Sequence, residues 1–192
     1  MGETKFVILI GNAGPAMFRR FWRDGGGRAV SSETARMDEW TRRVVDPLAQ
    51  DLGAKAVYPF DQPYQPFQQW ARAAGGGHQS PLGLSIHGEY GLWHAYRAAL
   101  LFPVEFDMPR LRAGAHPCES CEAKPCLSAC PVSAFDGRNY DVAACAQHLH
   151  SDNICMAGGC LARLACPIGK AYTYEKPQIQ FHMKAFKSAH EL

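Results

Sequence analysis

At 192 residues and 21.2 kDa the chain has room for one large domain or two small ones, at roughly 100 to 200 residues per domain, which excludes a long multidomain enzyme. Hydrophobic residues at 47%, charged residues at 20% and a mean hydropathy of -0.24 exclude wholesale disorder, and no apolar run reaches the ~18 residues that a bilayer needs. The net charge is +2, with 13 basic and 11 acidic residues up to Ala115 and 7 of each beyond it, and no Lys/Arg block; a cytoplasmic protein is expected, with neither a membrane nor a nucleic acid as partner.

Lys5 to Ile10 read as a short buried strand. Gly11-Asn12-Ala13-Gly14 then turns into a helix opening with Pro15; the spacing fits neither G-x-G-x-x-G nor a P-loop, so an ordinary turn is the better reading. Glu33 to Leu52 carries Trp40, Val44, Leu48 and Leu52 four residues apart, a helical stripe that Pro47 should kink or split. Ala54 to Phe60 reads as a strand, which makes the opening sixty residues α/β or α+β. From Gln62 to Trp70 two prolines alternate with Tyr64, Phe67 and Trp70, a rigid stretch suited to lying across a surface or pocket. Leu92 to Phe102 is ambiguous: its alanines favour helix, while Trp93, Tyr96 and the following Pro103 fit a buried strand. The domain boundary is expected in the Pro/Gly/Arg stretch Pro109 to Pro117, and Ile179, Met183 and Phe186 place a helix in the tail.

All 8 cysteines lie between Cys118 and Cys166. They stand as Cys118-x2-Cys121-x4-Cys126-x3-Cys130-Pro131, then Cys145 alone, then Cys155-x4-Cys160-x5-Cys166-Pro167. Bacterial two-cluster ferredoxins carry C-x2-C-x2-C-x3-C-P runs whose fourth cysteine ligates the other cluster. On that pattern Cys118, Cys121 and Cys126 with remote Cys166 hold one [4Fe-4S] cluster, and Cys145, Cys155 and Cys160 with remote Cys130 hold the other. The longer gaps require the loops to bulge. Two four-cysteine zinc sites have the same ligand count, but structural zinc favours closely paired cysteines and has no use for Cys-Pro endings. A disulfide framework is disfavoured for a chain without a secretion signal.

A four-cysteine run, the isolated Asp141-Val-Ala-Ala-Cys145 and a three-cysteine run ending in Cys-Pro resemble the order found in epoxyqueuosine reductases and the related corrinoid iron-sulfur reductive dehalogenases. Upstream, Ile86-His87-Gly88-Glu89-Tyr90-Gly91-Leu92-Trp93-His94-Ala95-Tyr96-Arg97 resembles the IHPEYG-W-A-R segment of their cobalamin domains, and of cobalamin-decyanating trafficking proteins, with Gly88 in place of the proline. The resemblance covers roughly Pro81 to Pro167. It implies an α+β chain with a shortened nitroreductase-like N-terminal domain over residues 1–115 and a two-cluster ferredoxin-like domain with a C-terminal tail over 116–192. It further implies that His87, Gly88, Tyr90, Gly91, Trp93 and Arg97 meet a corrinoid, to which the ferredoxin domain passes electrons. No Asp here is matched to the general acid of epoxyqueuosine reductases, so that activity is not carried over and no catalytic residue is named.

Each of these residues also has a structural reading. His87 and His94 are ligands of one pocket if the segment is helical, or hydrogen-bonded core residues. Tyr90, Trp93 and Tyr96 form a planar wall for a large ring or plain core packing. Arg97 pins a carboxylate or phosphate, or pairs with an acid of its own domain such as Glu89. Asp61 is an acid or a turn cap. With Tyr64 to Trp70, the Ile86 to Arg97 segment is expected to line an apolar cleft, with Gly88 and Gly91 admitting the ring. The reading is therefore an iron-sulfur protein that receives single electrons from a donor and reduces a corrinoid, an oxidoreductase in that case. The alternative is a ferredoxin-type carrier that docks on a redox partner without cobalamin.

Overall fold

The computed structural model describes residues 3–26, 33–108, 114–151 and 154–190. In chain order its elements are β1 (Phe6–Ala13), α1 (Ala16–Phe21), a π-helical turn (Trp22–Gly26), α2 (Glu33–Asp51), β2 (Lys55–Val57) and α3 (Phe67–Ala73). Three strands follow, β3 (His78–Gln79), β4 (Ser85–Ile86) and β5 (His94–Phe102), and then α4 (Pro125–Ser128), α5 (Val142–Leu149) and α6 (Ile154–Gly158). The chain closes with α7 (Leu161–Leu164), a 3-10 turn (Lys170–Tyr172) and α8 (Lys176–Ala189). Mixed helix and antiparallel sheet fit the α+β expectation.

The chain divides into two units, Met1–Gly76 with His94–Ala113, and Gly77–Trp93 with Gly114–Leu192. A single cut at Ala115 therefore does not describe it. Gly77–Trp93 is built into the second unit because Leu82, Ile86 and Leu92, at 2%, 1% and 3% exposure, share one core with Cys126, Ala134, Phe135, Ala162 and Cys166.

In the first unit β5 is the central strand of an antiparallel sheet ordered β1-β5-β2. The ambiguous stretch is thus a strand, and its alanines serve packing: Ala98 and Ala99 are fully buried. With no bulk beyond Cβ, Ala98 admits Val45 and Ala49 of α2 to a core that also holds Tyr58, Leu100 and Phe102. β1 runs past Gly11 to Ala13, and the turn into α1 falls at Gly14, whose φ is +64°. α2 is one uninterrupted helix despite Pro47, whose missing N–H lies on the exposed side where water can bond the freed carbonyl. The expected stripe fails beyond Trp40: Val44, Leu48 and Leu52 are exposed, and the buried row is Met37, Thr41, Val45 and Ala49. Thr41 tolerates burial because its hydroxyl donates to the Met37 carbonyl at 2.8 Å.

In the second unit β3 and β4 form a short antiparallel ribbon, and the chain then makes a tight hairpin in which His87 and Gly91 exchange both backbone hydrogen bonds at 2.9 Å. The cysteine runs follow on the turns around α4, α6 and α7 and on α5. The tail helix α8 packs back on α5 and α6.

Candidate metal centres

Cys118, Cys121, Cys126 and Cys166 line one partly enclosed cavity, together with Ile86, Pro81 and the prolines beside the cysteines. Cys118 enters from a turn fixed by His116, whose Nδ1 accepts the Cys118 N–H at 3.2 Å while its Nε2 lies 3.2 Å from the Gln79 carbonyl. The long gap between Cys121 and Cys126 is taken up at Lys124, a non-glycine residue in the left-handed region at φ +38°, before Pro125 opens α4. Cys166 follows the end of α7, and Pro167 turns the chain away.

Cys130, Cys145, Cys155 and Cys160 line a second cavity, closed by Val132, Phe135, Leu149, Leu161 and Met183. Cys145 rides on α5, whose first turn is capped by Asp141 accepting the Ala144 N–H at 2.9 Å. Cys155 lies on α6 and Cys160 caps α7; Gly159, at φ +101°, makes the turn between them. The structure therefore brings the last cysteine of each run to the other run's cavity.

Burial raises the pKa of Cys118, Cys126 and Cys166 above the usual thiol value, and the sulfur atoms of the same set raise it further. Burial likewise raises Cys145, Cys155 and Cys160, reinforced within the second set. Donors aimed at the sulfurs oppose this: the N–H groups of Leu127 at Cys126, Ile168 at Cys166, Leu161 at Cys155 and Arg163 at Cys160. The Ala134 N–H meets Cys130 Sγ at 3.4 Å, and the Tyr140 side chain acts to lower the Cys145 pKa. Lys124 acts on Cys118 and Lys170 on Cys166 in the same direction. Buried thiolates that repel one another need a cationic group among them. Soft sulfur donors lining a partly enclosed, largely apolar space, with N–H groups near the sulfurs, fit iron-sulfur clusters. Among the described residues no three His, Cys, Asp or Glu side chains converge on a point to hold a metal ion; the cysteines line cavity walls instead.

The residues expected to meet a corrinoid are dispersed. His87, Gly88, Tyr90, Gly91 and Trp93 belong to the second unit, Arg97 and the Tyr64 to Trp70 stretch to the first. His94 opens a strand, so the helical spacing that would have paired it with His87 does not exist. His87 Nδ1 accepts the N–H groups of Glu89 and Tyr90 at 3.1 and 3.3 Å, and its ring stacks on Tyr90 at 4.4 Å. Tyr90 also meets the edge of Tyr172, whose hydroxyl donates to Glu89 at 2.5 Å. Gly91, at φ +57°, lies against backbone: a Cβ there would overlap the Ile168 carbonyl, whereas one at Gly88 would meet nothing within 4 Å. The close approach at Gly91 is thus to the turn after Cys166-Pro167. Trp93 is 2% exposed, edge-on to Tyr174.

In the first unit Arg97 pairs with Asp38 at 2.6 Å and donates to Thr41 at 3.1 Å, tying β5 to α2; its acid is Asp38, while Glu89 is taken by Tyr172. Tyr96 donates to the Gly76 carbonyl at 3.1 Å, and Asp61 forms an ion pair with Arg42, whose guanidinium lies over Tyr58.

Two residues that spacing did not single out belong to the second set's surroundings. Arg163 lies over the Trp93 ring at 4.4 Å and the Tyr174 ring at 4.8 Å, and donates to the Leu92 carbonyl at 2.5 Å. Tyr140 stacks on Phe135 at 4.6 Å and acts to lower the Cys145 pKa. An arginine three residues after a cysteine and a tyrosine five before one carry no signature until the chain is folded.

No family model matches the chain, and no curated protein matches it. Among solved structures it is similar to epoxyqueuosine reductase from Bacillus subtilis with its catalytic aspartate loop swung out of the active site (TM-score 0.54, 17% identity) and to a selenomethionine-labelled epoxyqueuosine reductase (TM-score 0.55, 18% identity). It is also similar to an epoxyqueuosine reductase solved with an epoxyqueuosine-modified tRNA-Tyr stem loop (TM-score 0.52, 17% identity). Each likeness covers 92% of this chain and 52% of the other, so the chain spans about half the length of the structures it matches. At this identity the likeness is one of fold. No described helix is long and apolar enough to cross a membrane.

Proposed function

We propose that the chain is an electron-transfer protein that holds two [4Fe-4S] clusters and delivers single electrons to a corrinoid. The observation that carries the first part is the sorting of 8 cysteines into two cavities of four, with Cys130 and Cys166 exchanged between the runs. The clusters supply one-electron chemistry at low potential when bound. The chain's own residues hold them by eight thiolates, exclude water with Ile86, Phe135 and Leu149, and aim backbone N–H groups at the sulfurs. The corrinoid rests on the resemblance of the His87 to Arg97 segment to cobalamin domains, and on likeness of fold to epoxyqueuosine reductases.

A second reading, a ferredoxin-type carrier without cobalamin, is favoured by one observation: His87, Tyr90, Gly91 and Trp93 are engaged within their own unit. A tRNA partner, against which the charge balance speaks, enters through one neighbour's bound stem loop. Anaerobic purification with iron, sulfide and cobalamin quantification tests all three. About eight irons and eight sulfides per chain are expected. Two zinc ions without sulfide would remove the electron-transfer reading. Cluster-loaded protein that binds no cobalamin form by calorimetry leaves the carrier, and a stem loop that shifts in a gel adds RNA.

A further inference from the structure

Beside the cavity of Cys118, Cys121, Cys126 and Cys166 lies a wider one of about 420 Å³ that opens to the surface, and Pro81, Cys118 and Lys124 line both. Its volume falls in the range of small-molecule sites, about 300–1,000 Å³. Cys118 thus borders the proposed cluster on one side and this cavity on the other. The rest of the wall carries charge. Lys124 and Arg138 line it with Glu119 as the one acid, and among the described residues no ion pair or side-chain hydrogen bond engages either cation. Asp136, beside Arg138 in the chain, spends its carboxylate on the N–H groups of Arg138 and Asn139 and on the Asn139 amide, at 2.7, 2.6 and 2.9 Å. His116 adds no charge: its Nδ1 accepts the Cys118 N–H, so Nε2 holds the proton and donates it to the Gln79 carbonyl.

Both cations sit on pinned turns. Lys124 stands at φ +38° and ψ +55°, and its carbonyl accepts the Leu127 N–H at 3.0 Å. A lysine kept in the left-handed region, where glycine fits better, is strain retained at the cavity wall. Gly137, at φ +90°, turns the chain into Arg138. By contrast the cavity of Cys130, Cys145, Cys155 and Cys160 has no Lys, Arg, Asp or Glu in its wall.

Resting on the two-cluster reading, we infer that this cavity is the electron-exchange port of the Cys118 cluster, and that it takes a small one-electron donor bearing phosphate or carboxylate groups. Arg138 offers such a group a bidentate fork and Lys124 a point charge. Each event moves one electron: the donor is oxidised by one, the cluster is reduced by one, and no bond or proton changes hands.

Iron and sulfide are measured first on anaerobic full-length protein and report on the two-cluster reading by itself. Calorimetry with inorganic pyrophosphate should then show one site, weakened about tenfold by Lys124→Gln or by Arg138→Gln, as loss of a charge-assisted bond requires. Stopped-flow reduction compares two donors of one chemistry, reduced sulfonatopropyl viologen, a radical anion, and reduced methyl viologen, a radical cation. Either substitution should slow the anion about tenfold at low salt and leave the cation as fast or faster, and pyrophosphate should slow the anion on the wild-type protein. Arg138→Gln, on a turn that carries no cysteine, decides the matter if Lys124→Gln loads iron poorly. Full iron and sulfide with no pyrophosphate binding, with neither substitution slowing the anion, or with both viologens slowed alike overturns the inference while the two-cluster reading stands. Wild-type protein without clusters overturns both.

Discussion

Gly91 and Gly169 meet backbone to backbone: a Cβ on Gly91 would overlap the Ile168 carbonyl, and one on Gly169 would overlap Tyr90. The left-handed φ of +57° at Gly91 adds strain to that overlap for any other residue. Gly91→Ala should therefore destabilise the second unit by about 2–4 kcal/mol, from backbone strain plus overpacking. Iron should be lost first from the site of Cys166, two residues from the displaced carbonyl. Gly88→Ala, with open space around its Cβ, should do neither; denaturant titration and iron analysis of the pair check this. Asp136 holds a different turn, in the loop between Cys130 and Cys145. Backbone N–H groups of Asn139 and Arg138 and the Asn139 amide hold its carboxyl at about 2, below the ordinary 3.8. A depressed carboxylate pKa contributes stability above pH 3.8 that is lost as the pH falls through about 2. Carbon-13 titration of the Asp136 carboxyl should show its midpoint near that value, and a midpoint at 3.8 would remove the turn.

At the scale of elements, the proposed ligation depends on two runs that exchange their last cysteines. Cys166→Ala should strip the cluster of Cys118, Cys121 and Cys126 and spare the one nearer in sequence; Cys130→Ala should do the reverse, as cluster-resolved electron paramagnetic resonance would read. Loss of the sequence-local cluster in either variant contradicts the exchange. In the first unit Arg97→Ala should cost about 1–3 kcal/mol, since it leaves Asp38 half-buried without its partner, and iron content should not change. This marks what the sequence makes legible. Helix α2, strand β1, the tail helix and the grouping of cysteines follow from periodicity and spacing, because those are local or repeat a simple pattern. Which row of α2 faces inward does not, because Trp40-Val44-Leu48-Leu52 and Met37-Thr41-Val45-Ala49 have the same four-residue step. The less bulky row won because Ala98 asks for close approach and Thr41 satisfies its own hydroxyl. The aromatic run from Tyr90 to Tyr96 reads as one wall in sequence, yet the chain passes from one unit to the other at Trp93 and His94, so Tyr90 and Trp93 belong to one unit and Tyr96 to the other.

For the whole molecule, the consequence of a second unit that takes in Gly77–Trp93 is that its cysteine-lined cavities do not belong to the cysteine-rich part alone. Ile86 and Pro81 line the cavity of Cys118, Cys121, Cys126 and Cys166, and Leu82, Ile86 and Leu92 are buried in the core that surrounds it. Burying three such side chains is worth about 1.5–3 kcal/mol each, or roughly 5–9 kcal/mol together. That sum is comparable to the whole stability of a typical domain, about 5–15 kcal/mol. Arg163 would also lose the Trp93 face and the Leu92 carbonyl that hold its guanidinium near Cys160. A fragment of residues 116–192, which keeps all 8 cysteines, should therefore fail to reach the iron and sulfide content of the full chain. The shortfall should fall first on the Cys118 cluster, whose wall is missing, and the fragment should unfold at lower denaturant than the full chain does. Supplying residues 77–93 as a separate peptide should restore part of the iron if the segment acts by packing. Full iron loading of the bare fragment, with both clusters seen by electron paramagnetic resonance, would mean that the ferredoxin-like part closes its own core.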